Sequence, residues 1–271
     1  GGKLVSKEVK GPLGRKVKAT YISQNKTNTA VIELAAASGY SLIGDASRNP
    51  MKTSSYGSGE LLVDAIENGA RRIFIGLGGT ACIDGGVGLC QAIGVRFLDN
   101  NTRVIRKVGN GSMLNEIASI DVTKIHSGIS RSQIILLYDV DNKLCGKKGA
   151  AHVFGPQKGA SKEMVGQLDN NLRHYAKILK KEFNQNILKT KGIGAAGGAG
   201  ASLLAIADAR LENGAEFIAR QVKLDKYIKR AALVITGEGT IDSQTIAGKT
   251  PYTVTNIANK IGVPVIAIAG M

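Results

Sequence analysis

The sequence has no tryptophan, and aromatic residues make up only 4% of its 271 residues. Three cysteines, three histidines and five prolines complete the list of scarce types. Cys82, Cys90 and Cys145 are odd in number and lack CxxC spacing. That excludes a disulfide framework and a zinc site, and it fits a reducing cytoplasm. His126, His152 and His174 are scattered, so a histidine-based metal cluster is excluded as well. No run of roughly 18 strongly apolar residues occurs. The nearest stretch, 192–207, is uncharged but built of glycine and alanine, too weakly hydrophobic to span a bilayer. No signal-peptide pattern opens the chain. Its first residues, Gly1-Gly2-Lys3, and its abrupt end after "PVIAIAGM" read as those of a piece of a longer protein.

Glycine and positive charge are what the chain has in excess. The 35 glycines come in clusters without a period, which excludes collagen-like and linker readings. With 43% hydrophobic residues the chain is globular, long enough for one large or two ordinary domains. The net charge of +15 raises the question of nucleic acid. The lysines and arginines are spread over the whole chain, however, and the clusters "KLCGKK" and "KILKK" carry no interleaved aromatics for base stacking. A solvated basic surface explains them, and its field also attracts small anions such as nucleotides and carboxylates.

Hydrophobic periodicity places the elements. The first 35 residues read as strands separated by the turns "GPLG" and "NKTN", and 54–70 as a helix stopped by Asn68-Gly69. The strand "RRIFIG" follows, then a glycine loop and a helix from about 86 to 93. "VRFLDNNTRVI" reads as a hairpin around Asp99-Asn100-Asn101, and "SQIILLYDVDN" as a buried strand ending in carboxylates. Residues 162–183 carry apolar side chains at helical spacing. The tail spells strand, loop, helix over 251–261 and strand, a βαβ unit whose parallel sheet is buried on both faces.

Four segments empty into glycine plus an acid. "IGLGGTACIDGG" puts five glycines within the eleven positions 76–86, around Thr80 and Asp84. A turn needs one or two. Backbone N–H groups at such a strand-to-helix turn cradle phosphate oxygens, and tight packing of helix on sheet is the structural alternative. The loop matches neither a Walker A motif nor GxGxxG. In "YDVDN", Asp139 and Asp141 stand two apart, on one side of an extended chain, as carboxylates that hold Mg²⁺ or cap the next turn. Behind them "GPQKGA" offers Lys158 to a phosphate. "GIGAAGGAGAS" is either a second anion cradle or a close helix contact. "TGEGTIDSQTIAGK" crowds Glu238, Asp242, Gln244 and Lys249 after a parallel strand, where open α/β sheets bind ligands.

Taken in order, "GPLG", "ELAAASG", "TSSYGSGEL", "IGLGGTACIDGG", "DVDN", "VFGPQKGA", "GAAGGAGA", "LVITGEGTIDSQTIAGKTP" and "VPVIAIAG" resemble the bacterial type-1 glycerate kinase family over essentially the whole chain. The departures are local. Thr80 stands where serine is usual, Cys82-Ile83 replace a polar pair, and Lys143 replaces a proline. The resemblance implies ATP-dependent phosphorylation of D-glycerate in the cytoplasm, with Mg²⁺. The implied fold is α/β of the two-domain glycerate kinase type: an inserted α/β domain over 1–225 and part of a Rossmann-like parallel-sheet domain over 226–271. A segment before residue 1 and an end beyond residue 271 fall outside the chain on this reading.

Phosphoryl transfer needs phosphate cradling, charge neutralisation and a group to take the hydroxyl proton. The candidates are therefore Asp84, Glu238 and Asp242 for catalysis, with Asp84 as base or hydroxyl ligand. Gly78, Gly79, Thr80, Gly85, Gly86, Gly197, Gly198, Gly237 and Gly239, with Lys158 and Lys249, are candidates to bind nucleotide or substrate. Asp139 and Asp141 are the metal candidates. A dinucleotide-dependent oxidoreductase would need a GxGxxG turn with an acid about 20 residues on, and neither loop supplies it. A nucleic-acid-binding module would need basic and aromatic residues clustered on one face.

Overall fold

The computed structural model describes residues 2–239 and 250–270. Its centre is a six-stranded sheet. Strands β1 (Lys3–Lys10), β2 (Lys16–Gln24) and β3 (Thr29–Glu33) form an antiparallel meander around the expected turns. Parallel to β3 run β4 (Arg72–Gly76), then β7 (Gln133–Tyr138) and β8 (Arg210–Asn213), giving the order β1-β2-β3-β4-β7-β8. A short antiparallel pair, β5 (Arg96–Leu98) and β6 (Ser119–Asp121), lies between β4 and β7 in the chain. The hairpin expected at 95–105 is thus only a turn with a single bridge, Leu98 to Val104, because β5 takes β6 as its partner.

Alternation along the parallel strands sorts their side chains between two faces. Ala30, Ile32, Ile73, Ile75, Ile134 and Leu136 point into the main core. There they meet α1 (Ala35–Ser38), α2 (Tyr56–Glu67), α3 (Val87–Ala92), α4 (Ala150–Phe154), α5 (Lys162–Phe183) and α6 (Ala199–Ile206). The longest of these, α5, has the bounds its periodicity predicts, with Leu168, Leu172, Tyr175 and Leu179 buried. Ser161 caps it by accepting from the Met164 N–H, and Asn184 closes it in the left-handed conformation. On the opposite face Phe74 and Ile135 are covered by Phe217 of α7 (Gly214–Gln221), with the Phe74 and Phe217 ring centroids 4.6 Å apart.

Beyond α7 come α8 (Leu224–Ile228) and the βαβ unit, β9 (Val234–Glu238), α9 (Thr250–Ile261) and β10 (Val265–Ala269). Strands β9 and β10 pair in parallel as a separate two-stranded sheet. The division expected near residue 225 falls inside α8, and α9 packs on both α7 and α8. Among the described residues no helix is long and apolar enough to cross a membrane.

Candidate functional site

Four parallel strands ending at Glu33, Gly76, Tyr138 and Asn213 present their carboxyl ends along one edge, where open α/β sheets receive ligands. Two cavities meet there. The larger, about 600 Å³, is floored by Glu33, Gly76, Leu77, Gly78, Gly79, Leu137, Tyr138 and Asp139. Its far wall is apolar, made by Ile218 and Ala219 of α7, Val222 just after it, Leu224 of α8 and Val254 of α9. The smaller, about 200 Å³, is lined by Tyr40, Thr80, Gln157, Lys158, Phe154, Ala195 and Ala196. Leu77, Gly78, Gly79 and Asp139 line both, so the glycine loop forms the sill between them.

That loop has two halves with different duties. A side chain at Gly78 would meet nothing within 4 Å, and Gly79 turns in the left-handed region at φ +63. These two leave bare backbone facing the cavities. Gly85 and Gly86 face inward instead. At Gly86, φ is +86 and a Cβ would sit 2.3 Å from the Ala199 carbonyl oxygen, so only glycine lets α6 approach. The second glycine segment meets the first from the other side. A Cβ on Gly197 would lie 2.0 Å from the Cys82 carbonyl oxygen, and the Gly85 N–H donates to the Gly197 carbonyl at 3.2 Å. Gly85, Gly86, Gly197 and Gly198 therefore serve loop-on-loop packing, and the backbone of Ala195 and Ala196 is what reaches the smaller cavity. Ala196 is held at φ +51, a strained conformation for a residue with a Cβ.

Asp84 is in the interior, fully buried, and lines neither cavity. Its Oδ2 accepts from the Ser55 N–H at 2.8 Å and the Ser55 hydroxyl at 2.7 Å, and its Oδ1 from the Gly86 N–H at 3.1 Å. Burial pushes the carboxyl above its ordinary pKa, while the hydrogen bonds from Ser55 and the Gly86 and Gly88 N–H groups oppose that shift. The side chain ties the start of α2 to the glycine loop. Ser55, the partner 29 residues away, was not among the sequence-derived candidates, although it lies in the quoted "TSSYGSGEL".

Lys158 is 4% exposed and sits at the base of the smaller cavity, delivered by the turn Pro156–Lys158 after α4. Its Nζ donates to the Cys82 carbonyl at 2.8 Å and the Thr80 hydroxyl oxygen at 3.2 Å. Burial lowers its pKa to about 8, against the attraction of Cys82 and Asp84. Asp139 sits at a bend immediately after β7 and lines both cavities, whereas Asp141 lines neither. The strand stops at Tyr138, so the two-residue alternation that would have aimed both carboxylates one way is lost.

Gly237 and Glu238 end β9, and Gly239 follows it; none of the three lines either cavity. Asp242, Gln244 and Lys249 lie outside the described residues. Thr250 and Thr253 of α9 do line the larger cavity. The apolar wall of α7, α8 and α9, with Tyr40 and Gln157, went unnoticed in the sequence, since ordinary helix-face residues carry no local signal of a cavity. Among the described residues no group of three or more His, Cys, Asp or Glu side chains is placed to hold a metal by itself.

Comparison with known proteins bears on this geometry. The model of the glycerate kinase family matches residues 1–271. A glycerate kinase of Halalkalibacterium halodurans is 46% identical over 263 residues, 97% of this chain and 69% of the relative. A glycerate 2-kinase of Escherichia coli is 46% identical over 262 residues, covering 97% of this chain and 68% of the relative. A crystal structure named for glycerate kinase 2 from Salmonella typhimurium LT2 superposes with a TM-score of 0.85 at 45% identity, over 99% of this chain and 71% of that one.

Proposed function

The chain belongs to the glycerate kinase family, and we propose that it transfers the γ-phosphoryl group of ATP to a hydroxyl of D-glycerate. One observation carries the reading: two unequal cavities share a sill of Leu77, Gly78, Gly79 and Asp139 at the strand ends. The larger, with its apolar wall, suits a nucleotide, and the smaller a three-carbon acid. A hydroxyl held over the sill then faces the γ-phosphorus. Its oxygen attacks, the bond from phosphorus to the β-bridging oxygen breaks, and ADP and phosphoglycerate result. The transition state is loose, so the protein's task is to position and to stabilise charge. Gly78 and Gly79 carry no side chain between backbone and cavity, and at Gly78 nothing else lies within 4 Å of where a Cβ would stand.

Asp84 belongs to this machinery as a positioning residue, since its oxygens are already committed to Ser55 and Gly86. Glu238 and Asp242 remain the candidates to take the hydroxyl proton, and Gly237, Gly239 and Lys249 to contact nucleotide. Mg²⁺ fits the donor set: it asks the protein for one or two carboxylates and takes phosphates and water for the rest. Asp139, on the sill, would hold it, and the ion when bound neutralises phosphate charge. The two-domain division and a cytoplasmic setting are part of the same reading. Neither a dinucleotide-dependent oxidoreductase nor a nucleic-acid-binding module finds support among the relatives.

The test is ADP release by the purified protein with ATP, Mg²⁺ and D-glycerate, against a control without acceptor. Acceptor-dependent ADP with one phosphoglycerate formed per ADP supports the reading. ADP release indifferent to glycerate defeats it.

A further inference from the structure

We infer that Lys158 and Thr80 together read the carboxylate of the acceptor, which makes the smaller cavity the acceptor subsite and selects small hydroxy acids over neutral polyols. The inference rests on the phosphoryl-transfer reading above and adds which side chains recognise the acceptor's carboxylate.

Three features of the structure converge on it. An ammonium has three N–H donors, and Lys158 uses two of them inside the protein, on the Cys82 carbonyl and the Thr80 hydroxyl oxygen. It forms no ion pair among the described residues, although it is 4% exposed. A buried cation with an unused donor beside a polar cavity is costly unless an anion completes it. Second, the Thr80 oxygen accepts from Lys158, so its own O–H proton is left to donate elsewhere. Thr80 is also buried, at 2% exposed, on the same cavity wall. One carboxylate has two oxygens, and the two side chains offer it one donor each. Third, the cavity of about 200 Å³ is too small for a nucleotide, and Lys158 does not line the larger one. Its charge is therefore placed for the acceptor rather than for the ATP phosphates. Tyr40 and Gln157, on the same walls, supply polar atoms for the hydroxyls.

This arrangement separates a charged acceptor from its neutral analogue. A site built to bind a carboxylate leaves Lys158 and Thr80 unpaired when glycerol enters, and such mismatches discriminate strongly. The experiment uses Lys158→Met, which keeps length and bulk without charge, Thr80→Val, and Thr80→Ser as the conservative control. For each, kcat and KM are measured with D-glycerate and with glycerol, and ADP affinity is measured by calorimetry. Lys158→Met should lose about a hundredfold to a thousandfold in kcat/KM for glycerate, mostly through KM, the usual cost of removing one partner of a buried charge pair. ADP affinity should stay within about threefold, and the glycerate-to-glycerol preference should collapse. Thr80→Val should lose roughly tenfold, and Thr80→Ser should restore it. Retention of glycerate kcat/KM in Lys158→Met, or a parallel fall in ADP affinity, would overturn the assignment. If the unaltered protein forms no phosphoglycerate, the kinase reading fails by itself. Calorimetric binding of D-glycerate to the unaltered protein but not to Lys158→Met then still supports the subsite, and equal binding to both refutes it.

Discussion

Replacing Asp84 by asparagine separates a carboxylate that holds a loop from one that takes a proton. The amide matches the carboxylate in size but carries an NH₂ in place of one oxygen. Placed at the Oδ2 position, that group would oppose both the Ser55 N–H and the Ser55 hydroxyl; at the Oδ1 position it opposes the Gly86 N–H and neither Ser55 donor. The second orientation is cheaper. It leaves one buried N–H without an acceptor, at about 1–3 kcal/mol. The two bonds from Ser55 also lose their charge assistance, roughly 1 kcal/mol each. Against this stands relief of the burial that raises the Asp84 pKa. The net expectation is a loss of about 2 kcal/mol, equivalent to a Tm lower by roughly 4–8 °C. Because Asp84 lines neither cavity, kcat at a temperature where the variant is folded should fall by less than about tenfold. Differential scanning calorimetry and steady-state kinetics on the same preparation decide the matter. An unchanged Tm with kcat lowered by about 10²–10⁴ is the signature of a lost general base and would refute the loop-clamp account.

The two halves of the glycine loop should respond oppositely to alanine. Gly86→Ala forces a left-handed conformation and a 2.3 Å approach to the Ala199 oxygen, so it should cost about 3 kcal/mol by denaturant titration. Gly78→Ala meets no atom within 4 Å and should fold normally while its methyl group, on the sill, lowers kcat/KM. Lys158 gives a pH dependence of stability. Unfolded, the lysine keeps its proton up to about 10.5, whereas folded it releases it near 8; the charge that faces it is the Asp84 carboxylate, since burial keeps the neighbouring Cys82 thiol protonated. The unfolded state thus binds more protons in that window, so stability should rise with pH across it by about 3 kcal/mol relative to Lys158→Met. Asp139→Asn should leave Tm unchanged and raise the Mg²⁺ concentration for half-maximal activity by about tenfold or more.

Much of the scaffold was legible because it follows from local pattern. The bounds of α5 came from apolar spacing, and the parallel strands from short runs of isoleucine, leucine and phenylalanine. The glycine loop stands out in the sequence, but its division into two halves does not. Gly78 and Gly86 look alike in a sequence, and what separates them is whether α6 lies behind the backbone. The burial of Asp84 is hidden for a related reason. A lone carboxylate among glycines suggests a ligand, and its burial depends on Ser55, brought near by the fold of α2. Asp139 and Asp141 parted because β7 ends at Tyr138, short of both, a boundary that alternation alone does not set. Lys158 gave no local hint of its burial. Only the turn after α4, packed against the 80–82 backbone, carries its ammonium inward.

The most direct test of the account is a crystal structure of the protein with D-glycerate and a non-hydrolysable ATP analogue. The account predicts the base against Ile218, Val222 and Val254, the γ-phosphate over Gly78 and Gly79, and the glycerate carboxylate within hydrogen-bond distance of Lys158 Nζ and Thr80 Oγ1. Nucleotide phosphates on Lys158, or glycerate bound away from the smaller cavity, would contradict it.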